Sequence, residues 1–342
     1  MSVLITLIII AILILAHEWG HFLAARKIGI PVHEFSLGFG PKLISTARNG
    51  VEYSLRIVPI GGFVRMAGEE SEDLNHPDGF MKRTPLEKIL VSFAGPFMNF
   101  VLAFLIFITA FAVIGIPENT NEPVIGKVIS GKPAEMAGLR SGDRIISVND
   151  QPVQSWEEFA RFTDENESHP LQISIKRGDE ISTLSITPAK IDMNGTIGIG
   201  VINSVKYHRF GVIESIGMGL QKTYQMTAEL LSYLGHALTG GASMQDVAGP
   251  VGITRMVGEF ASVGMVFLMI FTAFLSINLG IMNLLPIPAL DGSKIVFALV
   301  EMVRRKPLEP EKEGFIHMIG FVLLMVLMVV ITYHDLVRWF KG

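Results

Sequence analysis

His17-Glu18-Trp19-Gly20-His21 lies inside the first hydrophobic segment of this chain rather than after it. Two histidines four apart on a helix point the same way, so their imidazoles can share one metal ion with Glu18 beside it. That is zinc-hydrolase geometry. Residues 3–16 are apolar apart from Thr6, so the helix carrying the pair is expected to span a membrane, where a charged trio is costly without a role. At about 1.5 Å of rise per residue, the helix reaches His17 roughly 21 Å into a hydrocarbon core about 30 Å thick. A metal held there sits inside the bilayer, nearer the exit face. On a soluble helix the same pattern is ordinarily surface charge, but within a membrane no water is present to solvate it.

The bulk composition agrees. The 342 residues are 49% hydrophobic and 18% charged, which points to a membrane protein carrying some soluble mass. A formal net charge of −4 offers no basic surplus for nucleic acid, which is not expected as a partner. With no cysteine, disulfides and thiolate ligands are excluded, leaving histidine and carboxylate as metal donors. The first basic residues, Arg26 and Lys27, follow the apolar run. A cleaved signal peptide has the reverse order, so the segment is expected to be retained, with its N-terminus outside.

Residues 26–90 carry nine Lys/Arg and eight acids, and are read as a cytoplasmic-side loop. Within it, residues 42–58 alternate around Asn49-Gly50, predicting a β-hairpin with Val51, Tyr53, Leu55 and Ile57 on one face. Pro59, Gly61 and Gly62 are expected to break it before a short strand at 63–66. Residues 91–114 are long enough to span, and Gly95, Pro96 and Asn99 within them suggest packing against another helix or, alternatively, a direct role in the site.

From 122 to 206 the composition turns soluble, with short strands and two small helices predicting an α+β module. Its run Pro133-Ala134-x-x-Ala137-Gly138-Leu139-x-x-Gly142-Asp143-x-Ile145-x-x-Val148-Asn149 resembles that of a PDZ domain. PDZ domains bind extended peptides at a sheet edge, which implies recognition of a peptide or a substrate ectodomain. Residues 207–261 read as an amphipathic linker or brace, with apolar Val212, Ile213, Ile216, Leu220, Leu230, Leu231, Leu234 and Leu238, and with a turn at Gly249-Pro250-Val251-Gly252. A third span and the helix after it occupy 262–303. The span is interrupted at Asn283-Leu284-Leu285-Pro286-Ile287-Pro288-Ala289-Leu290-Asp291-Gly292, and broken backbone at membrane depth is tolerated only where it lines a buried or wet cavity. Asp291 therefore faces a site or, alternatively, caps the next helix. Residues 315–334 make a fourth span.

Taken together, His17-Glu18-x-x-His21, Asn283-x-x-Pro286-x-Pro288-x-Leu290-Asp291-Gly292 and an intervening PDZ-like module resemble the bacterial site-2 protease family, the RseP-like intramembrane zinc metalloproteases. Phe35-Ser36-x-Gly38-Phe39-Gly40-Pro41, Pro59-x-Gly61-Gly62 and Ala94-Gly95-Pro96-x-x-Asn99 are similar to further motifs of that family. The chain departs from it at Ser293, where a second glycine is common, and in having room for one PDZ domain where some members have two.

The resemblance implies a polytopic α-helical membrane protein of about four transmembrane helices, with a membrane-associated β-hairpin on the cytoplasmic side and the PDZ domain inserted on the outer side of a bacterial inner membrane. It implies Zn2+ held by His17, His21 and Asp291, with Glu18 as general base toward the attacking water. Asn283, Pro286 and Pro288 are expected to bind substrate, and the hairpin to capture an unwound strand by edge pairing. The implied partners are single-span membrane proteins, such as a pre-cleaved anti-sigma factor or remnant signal peptides, together with the lipid bilayer. Asp291 also meets the remaining need of the histidines, since two imidazoles alone leave zinc under-coordinated. The reading from another class is a catalytically idle membrane scaffold that gathers partners through its PDZ domain.

Overall fold

The computed structural model of the chain describes residues 1–69, 73–74, 76–166, 169–190, 197–241 and 248–341. Residues 191–196 of the expected PDZ domain and 242–247 of the expected brace lie outside them, as does the side chain of Leu238. The described chain forms two compact units, residues 1–113 with 210–342, and residues 114–209.

Helix α1 (Ser2–Ile28) carries the HEWGH stretch. Thr6 fits its apolar run because its hydroxyl donates to the Ser2 carbonyl, 2.9 Å away. Arg26 and Lys27 occupy its last turn, and Gly29 closes it in the left-handed conformation, its N–H reaching the Ala25 and Arg26 carbonyls.

Strands β1 (Val32–Arg48) and β2 (Val51–Met66) follow, paired antiparallel about the Asn49-Gly50 turn. The sequence reading broke β2 at Pro59, whereas the structure carries it to Met66. Positive φ at Gly38, Gly40 and Gly61 bends both strands without ending them. The pair consequently doubles over. Residues 42–48 lie against 51–56, Glu34 to Leu37 lie beside Glu52 to Leu55, and the same four residues pair on their other side with Arg65 back to Gly62. Glu34, 3% exposed, fastens the fold: Arg56 Nη2 lies 2.7 Å from its carboxylate, with Arg65 at 3.8 Å and Lys42 at 3.9 Å. One buried anion thus faces cations from each of the other three runs.

Helix α2 (Pro85–Thr109) starts with a capping box between Thr84 and Glu87. Its buried residues Lys88, Val91, Ser92, Gly95, Pro96, Asn99, Ala103 and Phe107 recur at helical spacing and form one seam. That seam meets α1 where a Cβ at Gly20 would collide with the backbone of Ala94 and Gly95, and a Cβ at Gly95 with the His21 ring. Two glycines therefore let the helices touch beside the metal-binding stretch.

The second unit comprises β3 (Ile116–Asn119), β4 (Ile125–Val128), α3 (Pro133–Met136), β5 (Arg144–Val148), β6 (Gln151–Pro152), α4 (Trp156–Glu165), β7 (Leu171–Arg177), β8 (Glu180–Ile186), β9 (Ala189–Lys190), β10 (Ile197–Gly198), β11 (Val201–Asn203) and β12 (Val205–His208). Its main sheet has the order β6-β5-β7-β8, and shorter pairs join β4 with β11 and β3 with β12. Leu171, Ile173 and Ile175 alternate inward along β7 and bury against Ile145, Val148 and Phe159. Asp143, 1% exposed, accepts from Arg177 Nε and Nη2, both at 2.7 Å, and from the Arg140 amide at 2.8 Å.

Back in the first unit, α5 (Val212–His236) occupies much of the stretch read as an amphipathic linker or brace. Its buried residues are Ser215, Gly219 and Thr223, with Gly219 against Phe104 and Ile108 of α2, while Val212, Ile213, Ile216 and Leu220 are exposed. Small residues allow close helix approach, and the apolar side faces away from the protein. Gly249-Pro250-Val251-Gly252, expected as a turn, opens helix α6 (Pro250–Val263). Its N-terminus is held by Asp335, whose Oδ2 accepts from the Gly252 amide at 2.8 Å. Helices α7 (Met265–Leu284), α8 (Asp291–Arg304) and α9 (Pro310–Lys341) complete the unit. Among the described residues, α1, α2 with its extension to Ile114, α7 and α9 are long and apolar enough to cross a membrane.

Candidate metal centre

Helix α1 presents His17 and His21 from one face, and α8 presents Asp291 from its first residue. His17 Nε2 lies 3.0 Å from Asp291 Oδ2, His21 Nε2 lies 3.3 Å from the same oxygen, and the two Nε2 atoms are 3.2 Å apart. Three donors in tetrahedral array about 2.0–2.1 Å from one zinc ion stand roughly 3.3 Å from each other. The triangle therefore has the size of one face of a zinc site. No other cluster of three such side chains comes together among the described residues.

Each imidazole is also held from behind. His21 Nδ1 lies 2.8 Å from the Val91 carbonyl, so it donates there and leaves Nε2 free as a ligand. Asn99 Nδ2 is placed 3.1 Å from His17 Nδ1, while Asn99 Oδ1 is buried without a partner. A half-turn of the amide places Oδ1 beside the ring, where it accepts from a protonated Nδ1. That tautomer is the one an Nε2-ligating histidine requires. The residues present fit zinc.

Helix α7 ends at Leu284, before Pro286 and Pro288, and α8 starts at Asp291. Gly292 packs against the Leu284 and Leu285 carbonyls. Ser293, the departure from the common glycine, is buried and donates to the Leu290 carbonyl at 2.6 Å, so its hydroxyl is satisfied.

His17, Glu18, His21, Asn283, Asp291 and Lys294 line one cavity of about 260 Å³. Phe63, Val64 and Met66 of β2 form part of its wall, and a Cβ on Gly62 would lie 3.5 Å from Glu18 Cγ. The run of the sheet that reaches the cavity is thus 62–66, beyond the hairpin limits read from the sequence. The Asn283 amide now donates to the Leu279 carbonyl at 3.0 Å. Pro286 is exposed, and Pro288 lies under Gly320 of α9.

Lys294 escaped the sequence reading. It lies one turn after Asp291 on α8, and its Nζ is 2.7 Å from Glu69 Oε1, tying the helix that carries Asp291 to the chain just past β2. The i, i+3 spacing from Asp291 was the signal available. Glu301, further along α8, pairs with Lys88 of α2 at 2.7 Å.

The sequence profile of peptidase family M50 matches residues 5–327. A protein called zinc metalloprotease RasP from Geobacillus kaustophilus is 33% identical, covering 99% of this chain and 98% of that protein. The Bacillus subtilis protein called regulator of sigma-W protease RasP is 32% identical, covering 99% of each. A putative zinc metalloprotease of Clostridium acetobutylicum is 35% identical, covering 98% of this chain and 97% of the other. Among solved structures, the PDZ domain of an SdrC-like protein from Listeria innocua is 28% identical over 26% of this chain and 99% of that domain, with a TM-score of 0.23.

Proposed function

The chain belongs to peptidase family M50 and is a membrane zinc metalloprotease of the site-2 type, and from that premise we propose that it hydrolyses peptide bonds within the transmembrane segments of single-span membrane proteins. The observation that carries this reading is the convergence of His17, His21, Asp291 and Glu18 on one cavity, with the histidine pair on a helix long and apolar enough to span.

In this reading His17, His21 and Asp291 hold the metal. Zinc, when bound, polarises the scissile carbonyl and steadies the charge that develops on its oxygen. Glu18 takes a proton from the attacking water as the water oxygen adds to the carbonyl carbon. It then delivers that proton to the amide nitrogen as the C–N bond breaks. A substrate helix must unwind before its carbonyl is accessible, and residues 62–66 offer an extended backbone beside Glu18 on which an unwound segment can pair. Asn283 is assigned to the substrate backbone, releasing its present bond to Leu279, and Pro286 and Pro288 to the surface the segment lies on.

Residues 114–209 serve as a PDZ module that selects substrates by bulk or by peptide end. The module and the N-terminus lie outside a bacterial inner membrane, and residues 26–90 lie in the cytoplasm. The substrates fitting this arrangement are a pre-cleaved anti-sigma factor, in keeping with a Bacillus subtilis relative called a regulator of sigma-W protease, and remnant signal peptides.

The test is metal analysis and cleavage of a single-span model substrate by the detergent-purified chain. His17→Ala and Asp291→Asn lose zinc and activity together, since a neutral amide is a poorer donor than a carboxylate. Full zinc occupancy with intact proteolysis in Asp291→Asn removes that residue from the site. Trapping with Glu18→Gln in native membranes, followed by mass spectrometry, identifies the substrates; recovery of soluble proteins alone rejects the intramembrane reading.

A further inference from the structure

Helix α9 grips the broken stretch ahead of Asp291 at two successive turns. Ala289 stands between Pro288 and Leu290 with φ +76°, a left-handed conformation that a side chain disfavours. The neighbouring amides are satisfied locally, Ile287 by the Leu285 carbonyl and Leu290 by the Ile287 carbonyl. The Ala289 amide instead donates to Nδ1 of His317, 3.0 Å away on α9. The imidazole proton therefore sits on Nε2, which faces Glu313 Oε1 at 3.9 Å one turn back. Phe297 of α8 meets the ring edge-on at 5.5 Å between centroids. One turn further along α9, Gly320 lies so close to Pro288 that a Cβ there would collide with the proline's carbonyl.

We propose that His317 is a positioning residue of the metal centre: by accepting the Ala289 N–H it holds the left-handed turn that aims Asp291 at His17 and His21. The inference rests on the reading of Asp291 as a zinc ligand. Asp291 follows Ala289 by only two residues, so the φ of Ala289 sets the direction from which the chain enters α8. With the bond removed, the alanine gains nothing from remaining left-handed, and a return to negative φ swings the carboxylate away from the donor triangle. Outer groups that orient a ligand typically contribute about 10–100-fold to metal affinity.

The experiment measures zinc retained by the purified full chain across a chelator series, together with cleavage of a model substrate. His317→Leu is expected to hold zinc roughly tenfold less tightly and to lose kcat with little change in KM. His317→Asn, whose Oδ1 takes the place of Nδ1, stays close to the parent. The decisive variant is Ala289→Gly, because glycine adopts positive φ freely: it restores zinc retention in the His317→Leu background and leaves the parent unchanged. Parental retention in His317→Leu, or a folded double variant that Ala289→Gly fails to restore, overturns the proposal. Should His317→Leu not fold, His317→Asn and His317→Gln decide, since glutamine carries its carbonyl one methylene too far; equal retention by the two overturns it as well. Asp291→Asn, run alongside, separates the two readings. If it keeps zinc, the ligand assignment falls and the positioning role with it; if it loses zinc while His317→Leu keeps it, only the positioning role falls.

Discussion

The side-chain amide of Asn99 sits 3.1 Å from Nδ1 of His17, and the other end of that amide is buried with nothing to bond. A polar residue in the middle of α2 thus acts on the imidazole of α1. Replacing it with leucine, of similar shape, removes the hydrogen-bond partner of Nδ1 while keeping the helix seam filled. We expect Asn99→Leu to lower zinc affinity by about 10–100-fold, and Asn99→Asp, which keeps an acceptor, to lose less. Chelator competition on the purified variants measures both, and unchanged affinity in the leucine variant rules out the orienting role.

Glu18→Gln is expected to retain zinc and to lose about 10²–10⁴ in turnover, the range for removing a general base. Both imidazoles and Asp291 remain, whereas the amide cannot accept the water's proton. Near-normal cleavage by this variant would show that Glu18 is not the base.

The parts of this architecture visible in the sequence are those that repeat or interrupt a repeat. His17 and His21 stood out because their spacing matches a helical turn inside an apolar run, and Asp291 because two prolines broke a span ahead of it. The doubled sheet did not stand out, since Gly38, Gly40, Gly61 and Pro59 have the composition of strand breaks, and only the tertiary pairing shows the strands running through them. Asp335 capping α6 and His317 holding Ala289 bring together residues 83 and 28 positions apart, and no local pattern marks such partners. The start of α6 was misread for the same reason: Gly-Pro-Val-Gly has the composition of a turn, and its helical role depends on a carboxylate from another helix.

The absence of cysteine permits a direct check of sidedness. Single cysteines at Ser45, Ser155 and Glu309 are expected to react with a membrane-impermeant maleimide from the cytoplasmic side for the first and third and from the outer side for the second. Labelling of Ser155→Cys only after the inner membrane is permeabilised would invert the orientation.

Burial pushes the Asp143 carboxyl up, and the Arg177 guanidinium and Arg140 amide outweigh that, holding it below its ordinary value. The unfolded chain therefore takes up the proton first as pH falls. The stability this carboxylate contributes is complete above about pH 4 and is lost progressively below it. Asp143→Asn should lower the melting temperature of residues 114–209 at neutral pH by roughly 5–10 °C and flatten its acid dependence. Amide exchange along β7 in the intact protein reports both effects, and an acid profile identical to the parent's would exclude the pair as its source.

The contact of Gly20 with Ala94 and Gly95 falls within one residue of His21. Helices that tilt to suit a thicker or thinner bilayer are constrained where they pack against a neighbour. Of the three donors, His21 lies next to that contact on α1, and Asp291 reaches the site from α8. We expect the thickness of the surrounding lipid to move the far ends of α1 and α2 more than the two imidazoles beside this contact.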